Sequence, residues 1–510
     1  MRYLLGLDLG TSSVRAAVVD PEGRLVGVAG EEYPIVAPQL GWAEQDPEAW
    51  VNAAYRTVRN VLNQVGISGS EVLAVGLSGQ MHGLVLVDEN GMCLRPAIIW
   101  PDKRTEAQRR QLAQKLNQNE LYQITGLPLA TGFLGLSLLW VKEHEPETYS
   151  RIRKVLLPKD YIRYRLTGQL ATDPTDASGT LLFDVAARKW SEDLLGVLEL
   201  APELLPSVLE SLQIGGELTP EAAEATGLLA GTPVAVGGGD QAMAALGLGL
   251  KPGEVASTIA TGGQLVTITH ETIIDPGRRM HTLSYITPER SILMGAVLAA
   301  GLSLRWFRDT LGQLEKEAAR NLGVSAYELL SLEAARAAPG SDGLFFLPYL
   351  SGERTPHMDP RARGCFIGLT LSHTKAHMAR AVMEGVSFAL KDSLLIMQEL
   401  GVGIERIILS GGGARSRVWQ QIQADIYGFP VQVVQRDEHS SYGAALAAGV
   451  AAGEYRDLSD ALSRARSDEL LQAEYVYPIE GNVKLYQEQY EYYKALYPAL
   501  KTVFGGESGE

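Results

Sequence analysis

The chain opens on an apolar run, Tyr3 to Leu9, broken only by Asp8 near its end. Four small residues follow, Gly10-Thr11-Ser12-Ser13, and then a second mostly apolar run, Val14 to Val19. Two such runs around a short turn of Gly, Ser and Thr predict a β-hairpin. Asp20-Pro21-Glu22-Gly23 is the next turn, and Leu25 to Val28 predicts a third strand. Asp46-Pro47 starts a helix expected to run to about Gln64, with Pro47 suited to the first helical position. Val72 to Leu77 reads as a buried strand that empties into a loop at Ser78-Gly79. From about Asp102 to Gly231 the pattern predicts mainly helix and loop. Thr232 to Val236 is then a strand ending in Gly237-Gly238-Gly239-Asp240.

The second half repeats the scheme. After a glycine-rich stretch, Gly247 to Gly253, come the run Val255 to Ala260, the turn Thr261-Gly262-Gly263 and the run Gln264 to Thr269. Later, Glu405 to Leu409 predicts a strand ending in Ser410-Gly411-Gly412-Gly413, with a helix from about Ser416 to Tyr427. Each half thus holds a hairpin and a later strand that ends in a glycine loop. The fold class this predicts is α/β, with two domains, residues 1–246 and 247–510, facing across a cleft lined by loops at strand ends. Hinges are expected near Gly247–Gly253 and Ser441–Ala448. The C-terminal segment with Tyr486, Tyr490, Tyr492 and Tyr493 predicts an amphipathic closing helix with a packing role.

Composition narrows the classes. The length, 510 residues, sets a prior of several domains, and a 46% hydrophobic fraction supplies large cores. A net charge of −15 with no Lys/Arg run argues against nucleic acid and anionic membrane as partners. Cys93 and Cys365 lie far apart, with no disulfide framework or zinc-ligand spacing. The N-terminal run is too short and too soon interrupted for a signal peptide. No stretch reaches the length of a membrane helix. A soluble, cytoplasmic protein is expected.

Phosphate-binding motifs of the commonest kinds are absent. No Gly-Lys pair occurs, so there is no Walker P-loop, and no G-x-G-x-x-G occurs either. In their place stands Asp8-Leu9-Gly10-Thr11-Ser12-Ser13. Here Gly10 permits close backbone approach, Thr11, Ser12 and Ser13 offer N–H and O–H donors to phosphate oxygens, and Asp8 can hold Mg²⁺ directly or through water. Thr261-Gly262-Gly263 repeats the device. Gly411-Gly412-Gly413-Ala414-Arg415 presents bare backbone of the kind a purine ring slides against.

These three segments, in this order, resemble the nucleotide site of the actin–hexokinase–Hsp70 superfamily. Within it, several segments resemble the FGGY carbohydrate kinases, which include glycerol and gluconate kinases. They are Gly79-Gln80-Met81-His82-Gly83, Leu94 to Trp100, Leu157-Pro158-Lys159-Asp160-Tyr161, Gly237 to Asp240 and Phe346 to Pro356. The Gln80-Met81-His82-Gly83 segment is similar to that of the xylulokinases. The resemblance covers about residues 3 to 450 and implies two actin-like (ribonuclease H-like) domains, ATP and Mg²⁺ as cofactors, and phosphorylation of D-xylulose. Another ketopentose or polyol (ribulose, ribitol) and a non-catalytic sugar sensor are the alternatives. It implies Asp240 as general base and, with Asp8, as metal position, and a sugar pocket of Gln80, Met81, His82, Trp100, Asp102 and Asp240. ATP would contact the loops around Gly10, Thr261 and Gly411, and a homodimer is the assembly the family implies.

Three positions depart from the family pattern. Pro101 replaces a small polar residue, Ser137 replaces a Lys, and Ala260-Thr261-Gly262-Gly263 lacks one hydroxyl of the second phosphate loop. The first two bear on which sugar is preferred. Arg354 and His357 are read as parts of a structural loop, and Asp173 and Asp176 as surface or helix-capping residues.

Overall fold

A computed structural model describes residues 2–434, 436–465 and 473–505. The chain groups into two compact units. The first comprises residues 1–250, 268–292 and 438–471, and the second residues 251–267, 293–437 and 472–510. A single cut at residue 247 therefore leaves out two excursions, of which the later is the more instructive.

The first unit is built on a seven-stranded sheet. Its order is Ile214–Glu217, Pro233–Ala235, Val72–Gly79, Tyr3–Leu9, Ser13–Val19, Leu25–Glu32, with Gly238–Gly239 also paired to Val72–Gly79. Tyr3–Leu9 and Ser13–Val19 form the expected antiparallel hairpin, and Tyr3–Leu9 runs parallel to Val72–Gly79. Side chains alternate across a strand, so Leu5, Leu7 and Leu9 face one side. There they join Trp50, Val58, Val61 and Leu62 of the helix Pro47–Val65 in one apolar core. Asp46 caps that helix by accepting from the Glu48 amide at 3.0 Å, and Gly66, at φ 74°, ends it.

The opposite face carries glycines. A Cβ on Gly6 would lie 1.8 Å from the Ser441 carbonyl oxygen, and one on Gly76 would lie 1.8 Å from that of Ala444. The helix His439–Ala451 seats its backbone directly on the sheet there, and Gly443 and Gly247 bring it equally close to the helix Asp240–Gly247. Residues 441–448 are thus the interior of a packed helix and not the expected hinge; the chain leaves the second unit at 437 and rejoins the first at 438. Burying this small-residue helix needs a sheet face without Cβ atoms, and Gly6 and Gly76 supply it.

In the second unit, Glu254–Ile259 pairs antiparallel with Gly263–Thr269 and parallel with Arg406–Gly411. Val431–Val433 continues the parallel run, and Glu474–Val476 closes it antiparallel. The C-terminal helix Glu480–Leu500 buries Tyr486, Tyr490 and Tyr493, with the Phe388 ring 5.9 Å from Tyr486 and 5.0 Å from Tyr493. Tyr492 points outward, 68% exposed. Among the described residues no helix is long and apolar enough to cross a membrane. Cys93 and Cys365 are both free thiols.

Candidate active site

The first hairpin turn is stripped of acceptors. Gly10 O accepts from the Tyr33 hydroxyl, Thr11 O from Gln45 Nε2 at 2.7 Å, Ser12 O from Tyr33 N at 3.0 Å and Ser13 O from Gly10 N at 2.9 Å. The Thr11 hydroxyl accepts from the Trp100 indole at 2.9 Å. Among the described residues the amides of Thr11 and Ser12 donate to no partner. With its carbonyls turned into the protein, the turn offers N–H and O–H groups outward, which is the character an anion site needs. Gln45 is 1% exposed and its amide is fully engaged, since Oε1 accepts from Gln80 Nε2 at 3.0 Å and Trp50 Nε1 at 3.2 Å. It ties the loop at Gln80 to the hairpin. No local motif marks Gln45, since its partners lie 5 to 35 residues away.

Asp8 faces Ser78 across the parallel ladder and accepts from its hydroxyl at 2.7 Å. That ladder extends through Gly79, beyond the end expected at Leu77, and Gly238–Gly239 pairs onto the same stretch. Asp240 follows at once, as the first residue of the helix Asp240–Gly247, with Gly239 as its cap. Burial, and then the charge of Asp8, push the Asp240 carboxyl up to about 7, against hydrogen bonds from Gln241 that lower it. Burial also raises Asp8, opposed by Ser78 and Arg15. Two carboxylates that repel each other in this way fit a shared divalent cation. Among the described residues there is no cluster of three or more candidate ligands, and Mg²⁺ commonly takes one or two carboxylates together with substrate phosphates.

Met81 and Gln80 are buried, and His82 is half-buried with φ 72°, a region costly for any residue but glycine and recurrent at functional sites. His82 Nδ1 lies 2.6 Å from Gly179 O, and its ring meets Phe133 edge-on at 4.8 Å. A carbonyl only accepts, so Nδ1 carries the proton, and in the neutral ring Nε2 is the acceptor. Gln80 Oε1 is buried without a partner. Ser137 is buried one turn beyond Phe133 in the helix Leu134–His144.

Other expected positions fall differently. Asp102 is 1% exposed, and its two oxygens accept from Ala43 N, Arg104 N, Arg104 Nε and Arg104 Nη2 at 2.6 to 3.0 Å. Four donors saturate the carboxylate, so it is a buried ion-pair partner and not a sugar acceptor. Asp173 and Asp176 are wholly buried and not on the surface. Asp173 does cap the short helix Pro174–Ala177, and both lie near the buried Lys159, 3.1 and 3.7 Å from its Nζ.

In the second unit, Thr261 and Gly262 form the turn between the strands Glu254–Ile259 and Gly263–Thr269. Thr261 O accepts from Leu302 N at 3.0 Å and Gly262 O from Ala260 N at 2.9 Å, again turning carbonyls inward. Gly411 has φ 76°, and a Cβ there would lie 2.7 Å from the Ile259 carbonyl oxygen; one on Gly413 would lie 2.6 Å from Ile259 Cβ. Gly412 stays exposed, Ala414 is buried and Arg415 pairs with Asp437. In the Arg354–His357 segment, read as a structural loop, His357 stacks on Tyr497 at 3.7 Å, and burial lowers it to about 4.

Two family models match the chain: the FGGY carbohydrate kinase N-terminal domain over residues 3–247 and the C-terminal domain over residues 256–452. The chain is 35% identical over 503 residues to a xylulose kinase of Bacillus subtilis (strain 168), covering 98% of each chain. It is 34% identical over 488 residues to a gluconokinase of the same organism, covering 95% of this chain and 93% of that one. A ligand-bound xylulose kinase from Lactobacillus acidophilus superposes with a TM-score of 0.90 at 28% identity, covering 99% of each. The two sheet-containing units are those of the actin-like fold. The chain belongs to the FGGY family of carbohydrate kinases and is a sugar kinase.

Proposed function

We propose that this kinase transfers the γ-phosphoryl group of ATP to the C5 hydroxyl of D-xylulose, with Asp240 as the general base. The observation that carries the base assignment is Asp240 itself. It starts a helix directly after two glycines, beside Asp8, with its carboxyl raised to about 7, near the pH at which it must take a proton. The sugar assignment rests on likeness to xylulose kinases over nearly the whole chain. As the hydroxyl oxygen bonds to phosphorus, the bond from phosphorus to the ADP oxygen breaks and the hydroxyl proton passes to an Asp240 oxygen.

Met81 supplies an apolar wall, and His82 hydrogen-bonds a sugar hydroxyl. The Thr11 and Ser12 donors, with Thr261–Gly263, hold phosphate oxygens, and Gly411–Arg415 line the purine. Asp8 and Asp240 would hold Mg²⁺, which neutralises developing charge on the phosphates when bound.

The test is a coupled ADP-release assay with D-xylulose, D-ribulose, L-ribulose, glycerol and gluconate, run beside Asp240→Ala. D-xylulose should give the highest kcat/KM, and the variant should lose at least about 100-fold. A different preferred sugar, gluconate above all given the gluconokinase likeness, would overturn the substrate assignment and leave the base standing. No phosphorylation with intact ATP binding would overturn the catalytic reading and favour a sensor.

A further inference from the structure

The segment Asp173 to Gly179 is wholly buried and lies far in sequence from every residue assigned to the chemistry, yet it bonds to one of them, His82, and to Gly239, the residue before another. We infer that it is a positioning platform that sets the strand leading into the base and the sugar loop in mutual register, with Thr175 acting on Asp240 through Gly239 and Gly179 acting on His82. The inference rests on the roles given to Asp240 and His82 above.

At one end, Gly239 N, one residue before Asp240, donates to Thr175 Oγ1 at 2.9 Å. Thr175 has a single hydroxyl proton, and Asp173 Oδ2 lies 2.6 Å away and accepts it. The hydroxyl lone pair is therefore left for Gly239, and the direction of the relay is set. Asp173 cannot turn away: Oδ2 also accepts from Thr175 N at 2.9 Å and Ser211 Oγ at 2.8 Å, and Oδ1 is 3.1 Å from Lys159 Nζ. Lys159 in turn donates to Asp160 at 2.6 Å, and the side chains of Lys159, Asp160 and Asp173 are completely buried. A buried, charge-anchored relay of this kind is expensive to form and stiff once formed.

At the other end, the Gly179 carbonyl accepts a hydrogen bond from the His82 Nδ1–H and so selects the tautomer and the ring orientation. Between the two ends lies Met81. A Cβ on Gly179 would be 2.8 Å from His82 Nδ1 and 3.0 Å from Met81 Cε, and one on Gly239 would be 2.9 Å from Met81 Cγ. One side chain therefore packs on both glycines. The segment is braced internally by Ser178 Oγ on Thr175 O at 2.9 Å and Gly179 N on Asp176 O at 3.0 Å.

The experiment compares Thr175→Val, Thr175→Ser, Gly179→Ala and Asp240→Asn by steady-state kinetics with the preferred sugar, alongside thermal melting. Thr175→Val should lower kcat roughly 10- to 100-fold, as misplacement of a base does, with sugar KM within about twofold. Thr175→Ser, which keeps the hydroxyl, should restore most of it. Gly179→Ala should raise sugar KM by about tenfold with a smaller change in kcat, since it displaces His82. Equal kcat in Thr175→Val and wild type, or an equal fall in the Val and Ser variants, would overturn the relay while an inactive Asp240→Asn keeps the base reading. An active Asp240→Asn would instead overturn the base reading itself. If Thr175→Val does not fold, the Gly179→Ala split decides: a fall in kcat at unchanged KM overturns the platform.

Discussion

Replacing Gln45 by Glu isolates the contacts of one atom at the first hairpin, Nε2, which also lies 3.4 Å from Pro34 O. Glu keeps Oε1, which accepts from Gln80 and Trp50, and changes only the atom that donates to Thr11 O at 2.7 Å. An ionised carboxylate would set two acceptors against each other in a site 1% exposed. Leaving a buried carbonyl without its donor costs about 1–3 kcal/mol. Transmitted to the transition state through Thr11 and its neighbours, that is roughly a 5- to 150-fold loss in kcat/KM for ATP. The carboxyl has one escape, which is to take up a proton and donate as Gln45 did. From an ordinary value of about 4.3, holding a proton at pH 7 costs at most about 4 kcal/mol, and that cost shrinks by about 1.4 kcal/mol per pH step. The assay is kcat/KM for ATP at saturating sugar, variant against wild type, from pH 8 to pH 6, with melting temperatures beside it. A deficit near the upper end of that range should narrow towards pH 6, where protonation costs only about 2 kcal/mol, and a smaller one should stay level. A variant within about twofold of wild type at pH 8, or a deficit that grows from pH 8 to pH 6, would refute the role given to Gln45.

Asp102→Asn should act on stability and not on sugar binding. It removes the charge facing Arg104, whose side chain is 1% exposed, although Glu44 at 2.8 Å remains. We expect a loss of about 2–4 kcal/mol, seen as a lower melting temperature, with sugar KM unchanged; a raised KM at an unchanged melting temperature would contradict it. Glu353→Gln tests a buried carboxyl of the second unit that burial pushes from an ordinary 4.5 up to about 8. Between those pH values the folded protein holds a proton that the unfolded chain releases, so this group's contribution to stability falls as pH rises, by up to roughly 5 kcal/mol. Gln keeps the oxygen that accepts from Leu298 N at 3.0 Å and Arg354 N at 2.7 Å. Its melting temperature should therefore gain on wild type between pH 5.5 and 8.5, and parallel curves would count against the assignment.

Much of the architecture was legible because it is local. The hairpins around Gly10–Ser13 and Thr261–Gly263 need only two apolar runs and small residues between them, and both form where the pattern puts them. The charge of Asp8 contributes to raising the Asp240 carboxyl. The order of strands and glycine loops, and through them the family, is thus written in the chain itself. Burial and partnership were decided only in the tertiary structure. Asp102 looks like a loop carboxylate until Ala43, 59 residues earlier, and Arg104 close over it. Asp173 looks like a simple cap until Ser211 and Lys159 arrive. Gln45 has no motif at all. The helix His439–Ala451 reads as an apolar run of small residues with no address, and it belongs to the first unit because Gly6 and Gly76, more than three hundred residues away, leave the only kind of sheet surface on which its backbone lies flat. Turn chemistry is written within a few residues, whereas the cost of burying a charge, and the fit of one bare surface on another, depend on atoms that only folding brings together.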